Sequence, residues 1–282
     1  MIEFEDVEKL RRPVLIVAFA GWNDAADAAT SAVDHLIEVW DGQPIGGIDP
    51  EDFYDFQVAR PHVTTDDRGM RRITWPGTQF VAASPPGSVR DVVVMRGIEP
   101  SMRWRQFVSE VLAAIEELGV ELVITLGALL SDASHTRPVP ITGLATEPDL
   151  SDRLGLESSN YEGPTGILGV ILDACIQTDM PAVSLWAGVP HYLPNGPNYK
   201  AALALVNRVE DLLELRIEQS ELIEDASAWQ RGAERFAEDD EEIAAYVEAY
   251  ERDHDAASLP EASGDAIAAE FERYLKRRER DS

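Results

Sequence analysis

Six polar residues, Ser131, Asp132, Ser134, His135, Thr136 and Arg137, crowd one stretch that ends at Pro138. Carboxylate, imidazole and guanidinium groups in that proximity are the side chains of acid–base chemistry on a small anionic substrate. In such a scheme Asp24 or Asp132 is the base, His135 the acid or orienting group, and Arg137 the binder of a substrate anion. A serine nucleophile would need a strained turn of the G-x-S-x-G type, which the chain lacks; Leu126-Gly127-Ala128 has no serine. Neighbours along one loop rarely reach triad geometry, so a His135 that braces its own loop is the simpler reading. Metal binding could draw on His135, His191, Asp24 and Asp132, yet no H-E-x-x-H, H-x-H or paired-cysteine spacing is present. His191, in Gly188-Val189-Pro190-His191-Tyr192-Leu193, reads as an imidazole bonded to backbone. Glu99 and Tyr161-Glu162-Gly163-Pro164 fall in loops with no partner assignable from sequence. No cofactor and no metal are expected.

These groups can act together only where strand ends bring them into one crevice. The apolar run Val14-Leu15-Ile16-Val17-Ala18 leads into Phe19-Ala20-Gly21-Trp22-Asn23-Asp24 and then Ala25-Ala26-Asp27-Ala28-Ala29. That reads as a buried strand, a tight turn at Gly21 with Trp22 filling space at the strand end, and a helix capped by Asn23 or Asp24. The turn has one glycine and no lysine, and Asp24 and Asp27 at the helix start would repel a phosphate, so dinucleotide binding there is not expected.

The chain of 282 residues carries 52 Asp and Glu against 24 Lys and Arg, a net charge of −28. That charge opposes nucleic acid and anionic membrane, leaving protein or small neutral molecules as partners. The N-terminus lacks a basic region followed by an apolar stretch, and no apolar run reaches membrane-spanning length. With a lone cysteine, Cys175, set in an apolar helical pattern, a cytoplasmic protein is expected and Cys175 reads as a small core residue.

Further elements follow from periodicity. A first helix runs to about Trp40; Phe53 to Val58 alternates as a strand; Asp66-Asp67-Arg68-Gly69 is a hairpin tip at a sheet edge, flanked by Val63-Thr64-Thr65 and Ile73-Thr74-Trp75. Strands are expected at Gln79 to Ser84, Asp91 to Met95, Val120 to Leu126 and Ala182 to Val189. Helices are expected from a Ser101 cap to Leu118, from Thr165 to Thr178 and from Ala201 to Gln219. The alternation predicts an α/β core over residues 1–220. Residues 221–282 form an acidic helical extension, with Trp229, Ala233, Phe236, Ile243, Val247 and Tyr250 in a stripe interrupted at Asp240. The stripe packs on the chain's own core or helps build an oligomer. Asp239-Asp240-Glu241-Glu242 reads as a solvated face, because consecutive carboxylates point around a helix. A last helix from Asp265 carries Ile267, Phe271, Tyr274 and Leu275, then Lys276, Arg277, Arg278 and Arg280 at its negative dipole end.

Four segments in order, Phe19-Ala20-Gly21-Trp22-Asn23-Asp24-Ala25, Leu126-Gly127-Ala128, Tyr161-Glu162-Gly163-Pro164-Thr165-Gly166 and Leu185-Trp186-Ala187-Gly188-Val189-Pro190-His191-Tyr192, resemble the bacterial and archaeal branch of the proteasome assembly chaperone family. The resemblance covers roughly residues 10 to 215, and the C-terminal helices resemble those of longer actinobacterial members. It implies a three-layer α/β domain similar to the purine nucleoside phosphorylase fold. It also implies a chaperone-like interaction module with proteasome subunits among its protein partners, and a homo-oligomer, with a trimer as the suggested number. Some archaeal relatives dock by a C-terminal hydrophobic-Tyr-any signature; this sequence ends Glu279-Arg280-Asp281-Ser282, so docking of that kind is not expected. Two readings stay open: the favoured non-enzymatic interaction module, and an enzyme with a phosphorylase-like or hydrolase-like crevice acting on a small molecule.

Overall fold

The computed structural model describes residues 2–4, 9–66, 68–147 and 162–258. Asp67, Tyr161 and the expected helix from Asp265 with its basic end lie outside the described residues. In chain order the strands are β1 (Ile2–Phe4), β2 (Val14–Ala20), β3 (Gln43–Ile48), β4 (His62–Thr65), β5 (Arg71–Thr74), β6 (Thr78–Ala83), β7 (Val92–Ile98), β8 (Leu122–Ser131), β9 (Ile141–Ala145) and β10 (Ala182–Pro190). The helices are α1 (Ala28–Val39), α2 (Trp104–Leu118), α3 (Ile167–Gln177), α4 (Tyr199–Leu213), α5 (Ser220–Glu238) and α6 (Glu241–Ser258).

An eight-stranded sheet has the order β1-β3-β6-β7-β2-β8-β10-β9. Its centre, β7-β2-β8-β10, is parallel, and antiparallel strands complete both sides. Parallel strands covered on both faces must be apolar on both, and β2 shows it: all but its last residue are buried. Val14, Ile16 and Ala18 face a core shared with α1 and α4, joined by Leu222 at the start of α5. Leu15, Val17 and Phe19 face a second core with α2 and α3, where Phe107 meets Phe19 and Phe53 edge-on at 5.9 and 5.3 Å. The protein is thus a mixed α/β fold with helices on each face of its sheet. Cys175 lies in the second core, and burial pushes its thiol up to about 11.

Several expectations are corrected. Residues 53–58 are turns, not a strand; Phe53 and Tyr54 are buried, so the alternation recorded burial without extended backbone. The strand of this part of the chain comes earlier, as β3, whose Pro44, Gly46 and Gly47 mask it in sequence and whose register shifts between Pro44 and Gly46. The hairpin β4-β5 is a separate two-stranded sheet rather than an edge of the main one. Ser101 does not cap α2: its hydroxyl accepts from the Asp55 amide at 3.2 Å, and Arg103, at φ 55°, occupies the cap position. Asp240 breaks the C-terminal stripe because it starts a new helix, accepting from the amides of Glu242 and Ile243 at 2.9 and 3.2 Å.

The chain divides into compact units Met1–Arg231 and Gly232–Ser282, the boundary falling inside α5. Within the second unit, Asp240 caps α6, and the rings of Tyr246 and Tyr250 lie 6.3 Å apart.

At the amino edge of the sheet, Asp91 is 4% exposed and accepts from the Arg11 amide at 2.6 Å, the Arg11 guanidinium at 2.6 Å and the Ser84 hydroxyl at 2.8 Å. Burial would raise this carboxyl, but the Arg11 and Ser84 bonds outweigh it and hold it below the usual carboxylate value. A lowered folded value contributes stability that is present above the unfolded value, about 4, and is lost as pH falls through the folded one. Asp91→Asn is therefore expected to lower the unfolding free energy in urea by on the order of 1 kcal/mol at pH 7, with Arg11 half in solvent, and the gap to wild type should close below about pH 4.

Candidate functional site

The parallel strands β2, β7, β8 and β10 all end at one edge, and the chain segments that follow them meet there. Beyond Ala20 the chain leaves the ladder: Gly21, at φ 114°, turns in a conformation that side-chain-bearing residues rarely adopt. It rejoins β8 where the Asn23 carbonyl accepts from the Ala128 amide at 2.8 Å. Asn23 is wholly buried, and its Nδ2 donates to Glu99 Oε1 at 2.7 Å. The same Glu99 oxygen accepts from the Ile167 amide at 2.8 Å, the first free donor of α3, where a carboxylate also meets the positive end of the helix dipole. Gly166 leaves room for this arrangement, since a Cβ there would sit 2.0 Å from Asn23 Oδ1. Asn23 Oδ1 itself has no hydrogen-bond partner among the described residues.

Asp24 turns the other way, into α1. Its Oδ1 accepts from the Ala29 amide at 2.6 Å, and its Oδ2 accepts from the Thr30 amide at 3.1 Å and from the Thr30 hydroxyl. Burial holds the carboxyl above its ordinary value, and the three bonds offset only part of that rise. To reach α1 the chain passes through Ala26 and Asp27, both at φ 52°, a strained passage held by the Asn198 amide donating to the Ala26 carbonyl at 2.8 Å. Asn198 in turn caps α4, its Oδ1 accepting from the Ala201 amide at 3.0 Å.

His135 is 3% exposed. Its amide donates to the Tyr192 hydroxyl at 3.0 Å and its Nδ1 lies 2.8 Å from the same oxygen. Lys200 Nζ donates to the carbonyls of His135 at 2.5 Å and Arg137 at 2.9 Å and to Gln230 Oε1 at 2.8 Å, tying the loop to α4 and α5. Asp132 is exposed, with Oδ1 3.6 Å from His191 Nδ1.

The candidate residues are thus distributed. Asp132 and His191 meet at the surface, His135 is enclosed with Tyr192, the Arg137 carbonyl is held by Lys200, and both oxygens of Asp24 are occupied by α1. Among the described residues no cluster of three or more His, Cys, Asp or Glu is placed to hold a metal ion. An open cavity of 820 Å³ lies at the opposite edge of the sheet, lined in part by Arg90, Glu121, Pro181 and Leu212; none of Asp24, Asp132, His135 and Arg137 lines it. Sequence reasoning missed Lys200, Tyr192, Thr30 and Asn198; of these only Asn198 had a local signal, a capping residue type before a helical pattern. Trp22 does not fill space at the strand end as expected. It is 61% exposed, because Asn23 takes the buried position beneath the turn. Ile98, Met102, Leu129 and Leu130 are also exposed, so the ends of the adjacent β7, β2 and β8 carry apolar side chains facing solvent.

Gly166→Ala is the direct probe of the node at Glu99. At φ −93° the backbone of residue 166 suits alanine, so any loss comes from displacing the Asn23 amide. The expected loss, read by urea unfolding, is about 2 kcal/mol, and it should largely disappear in an Asn23→Ala background, where the two losses are non-additive.

The PAC2 family profile matches residues 18–237. A comparison with curated proteins found no match. The chain is 54% identical to a PAC2 family protein of Streptomyces avermitilis over 83% of this chain and 99% of that one, with a TM-score of 0.78. It is 48% identical to a proteasome-assembly chaperone homologue of Mycobacterium tuberculosis, over 83% and 99%, with a TM-score of 0.76. The archaeal proteasome activator PbaB of Pyrococcus furiosus shares the fold, with a TM-score of 0.69 at 17% identity over 84% of this chain and 98% of that one. With four-fifths of its sequence matched by the family profile and by relatives sharing about half their residues with it, this chain belongs to the PAC2 family.

Proposed function

We propose that this protein is a non-enzymatic, chaperone-like interaction module that docks a protein partner, with proteasome subunits the leading candidates, on the carboxyl edge of its parallel strands. The observation that carries this reading is the division of labour at that edge: Asn23, Asp24, Glu99 and His135 point inward into bonds that shape the turns, while Trp22 and its apolar neighbours face water. Aromatic side chains held on rigid turns are the usual anchors of protein interfaces. The relatives named as a proteasome-assembly chaperone homologue and a proteasome activator support the choice of partner. The reading includes a homo-oligomer in the cytoplasm and a layering of purine nucleoside phosphorylase type, a kinship of fold that says nothing of activity.

The competing reading, a small-molecule crevice worked by Asp24, Asp132, His135 and Arg137, draws its support from the Asp132–His191 approach at 3.6 Å. It requires turnover of a small molecule that Asp132→Asn and Arg137→Ala abolish.

Tagged protein recovered from its native host is expected to bring down proteasome subunits. Trp22→Ala combined with Leu130→Asp should cut that recovery about tenfold while leaving the thermal midpoint within about 2 °C of wild type, since both side chains are exposed. Recovery of no stable protein partner, or full recovery by the double variant, counts against the proposal.

A further inference from the structure

The hairpin β4-β5 stands apart from everything the strand-end edge explains. Its register pairs His62 with Thr74, Val63 with Ile73, Thr64 with Arg72 and Thr65 with Arg71. Alternation therefore puts Val63, Thr65, Arg71 and Ile73 on one face, with Trp75 next in the alternation just past β5, and His62, Thr64, Arg72 and Thr74 on the other. One face thus holds both apolar strand residues, Val63 and Ile73, beside Arg71, while the other has none, the asymmetry of a ribbon covered on one side. Yet all eight strand residues are exposed, with Ile73 57% and Trp75 52% in solvent. A two-stranded ribbon on its own is marginal in water, and here one ring contact, Phe56 against Trp75 at 4.9 Å, steadies its base.

Charge identifies what covers it. Between Val58 and Trp75 the sequence has four arginines and two aspartates, a basic segment in a chain whose net charge is −28. Asp66 is occupied inside the turn, accepting from the amides of Arg68 and Met70 at 3.0 and 2.9 Å and facing Arg72 at 3.5 Å. Arg60, Arg68 and Arg71 have no ion-pair partner among the described residues. A surface that presents arginines beside an aromatic and two β-branched side chains has the composition of an interface core. The chain itself carries the complementary charge: between Ser220 and Asp253 its sequence has twelve acidic residues against three arginines.

We infer that the β4-β5 hairpin is a docking arm for a second copy of this chain, its Val63–Ile73–Trp75 face covered by the partner and its arginines paired with the partner's acidic helices. This rests on the oligomeric part of the proposed function and assigns it a surface. It also accounts for how so acidic a chain can self-associate: the contact is made through a basic element, where the attraction between copies is local and the repulsion elsewhere is screened.

The test uses the full chain in sedimentation velocity at micromolar concentration, with Arg71→Glu and Ile73→Glu as separate variants and far-ultraviolet circular dichroism as the check on folding. The wild type should sediment as an oligomer that weakens as salt is raised. Both variants should self-associate at least about tenfold less tightly with unchanged dichroism, and a photo-crosslinking amino acid at residue 73 should join two copies. Variants that assemble like wild type overturn the arm while leaving an oligomer standing. A monomeric wild type, or a residue-73 crosslink made only to a different protein, overturns self-association through the hairpin. None of these outcomes alters the recovery of a partner by the strand-end edge, so the two proposals fail separately.

Discussion

One carboxylate, that of Glu99, holds the carboxyl edge of the parallel strands together. From the end of β7 it reaches the turn after β2 through the Asn23 amide and the start of α3 through the Ile167 amide. Parallel strands deliver their ends to a common edge but do nothing to lock the loops that follow; a charged acceptor shared between two donors supplies that lock. Its position at a helix N-terminus favours the charge that makes both bonds strong. Gly166 and Gly21 are the steric conditions of the same arrangement, one leaving space for Asn23 and the other permitting the backbone to reach it.

The polar groups around this node act as internal braces. Asp24 anchors α1, Asn198 caps α4 and receives the strained Ala26, and Lys200 gathers the His135 loop through three acceptors. Together they tie the first turn, the β8 loop and α4 into a rigid platform. A platform of this kind holds Trp22 outward at little entropic cost on binding, which is how a small number of exposed side chains can carry an interface. The acidic surface elsewhere disfavours non-specific contact with nucleic acid.

Much of this was legible in the sequence wherever local periodicity and packing agreed. The central strands and the helices α1 to α4 follow their apolar spacing, and the segments around Gly21, Gly127 and His191 lie at the ends of β2, β8 and β10. Gly127, in the second of those segments, is required because a Cβ would press on the Trp186 ring at 2.6 Å. Legibility failed where burial and extended backbone parted company, as at Phe53 and Tyr54, and where Pro44 and two glycines disguised β3. Site contacts that span the chain were invisible in principle: Asn23 and Glu99 are 76 positions apart, and Lys200 lies 65 from His135. Trp22 was misplaced because a tryptophan beside a strand end is ordinarily core. The deciding fact, that Asn23 claims the buried position through Glu99, exists only in three dimensions.

The partner-binding face proposed for this protein is the rigid carboxyl edge of its parallel strands. Its most direct test is hydrogen–deuterium exchange of this protein alone and in complex with proteasome subunits from the same organism. Added protection on binding is expected to be concentrated in residues 20–24, 98–103 and 128–137. Protection confined to the opposite edge, around residues 85–90 and 212–216, with the carboxyl edge exchanging as in the free protein, would contradict it.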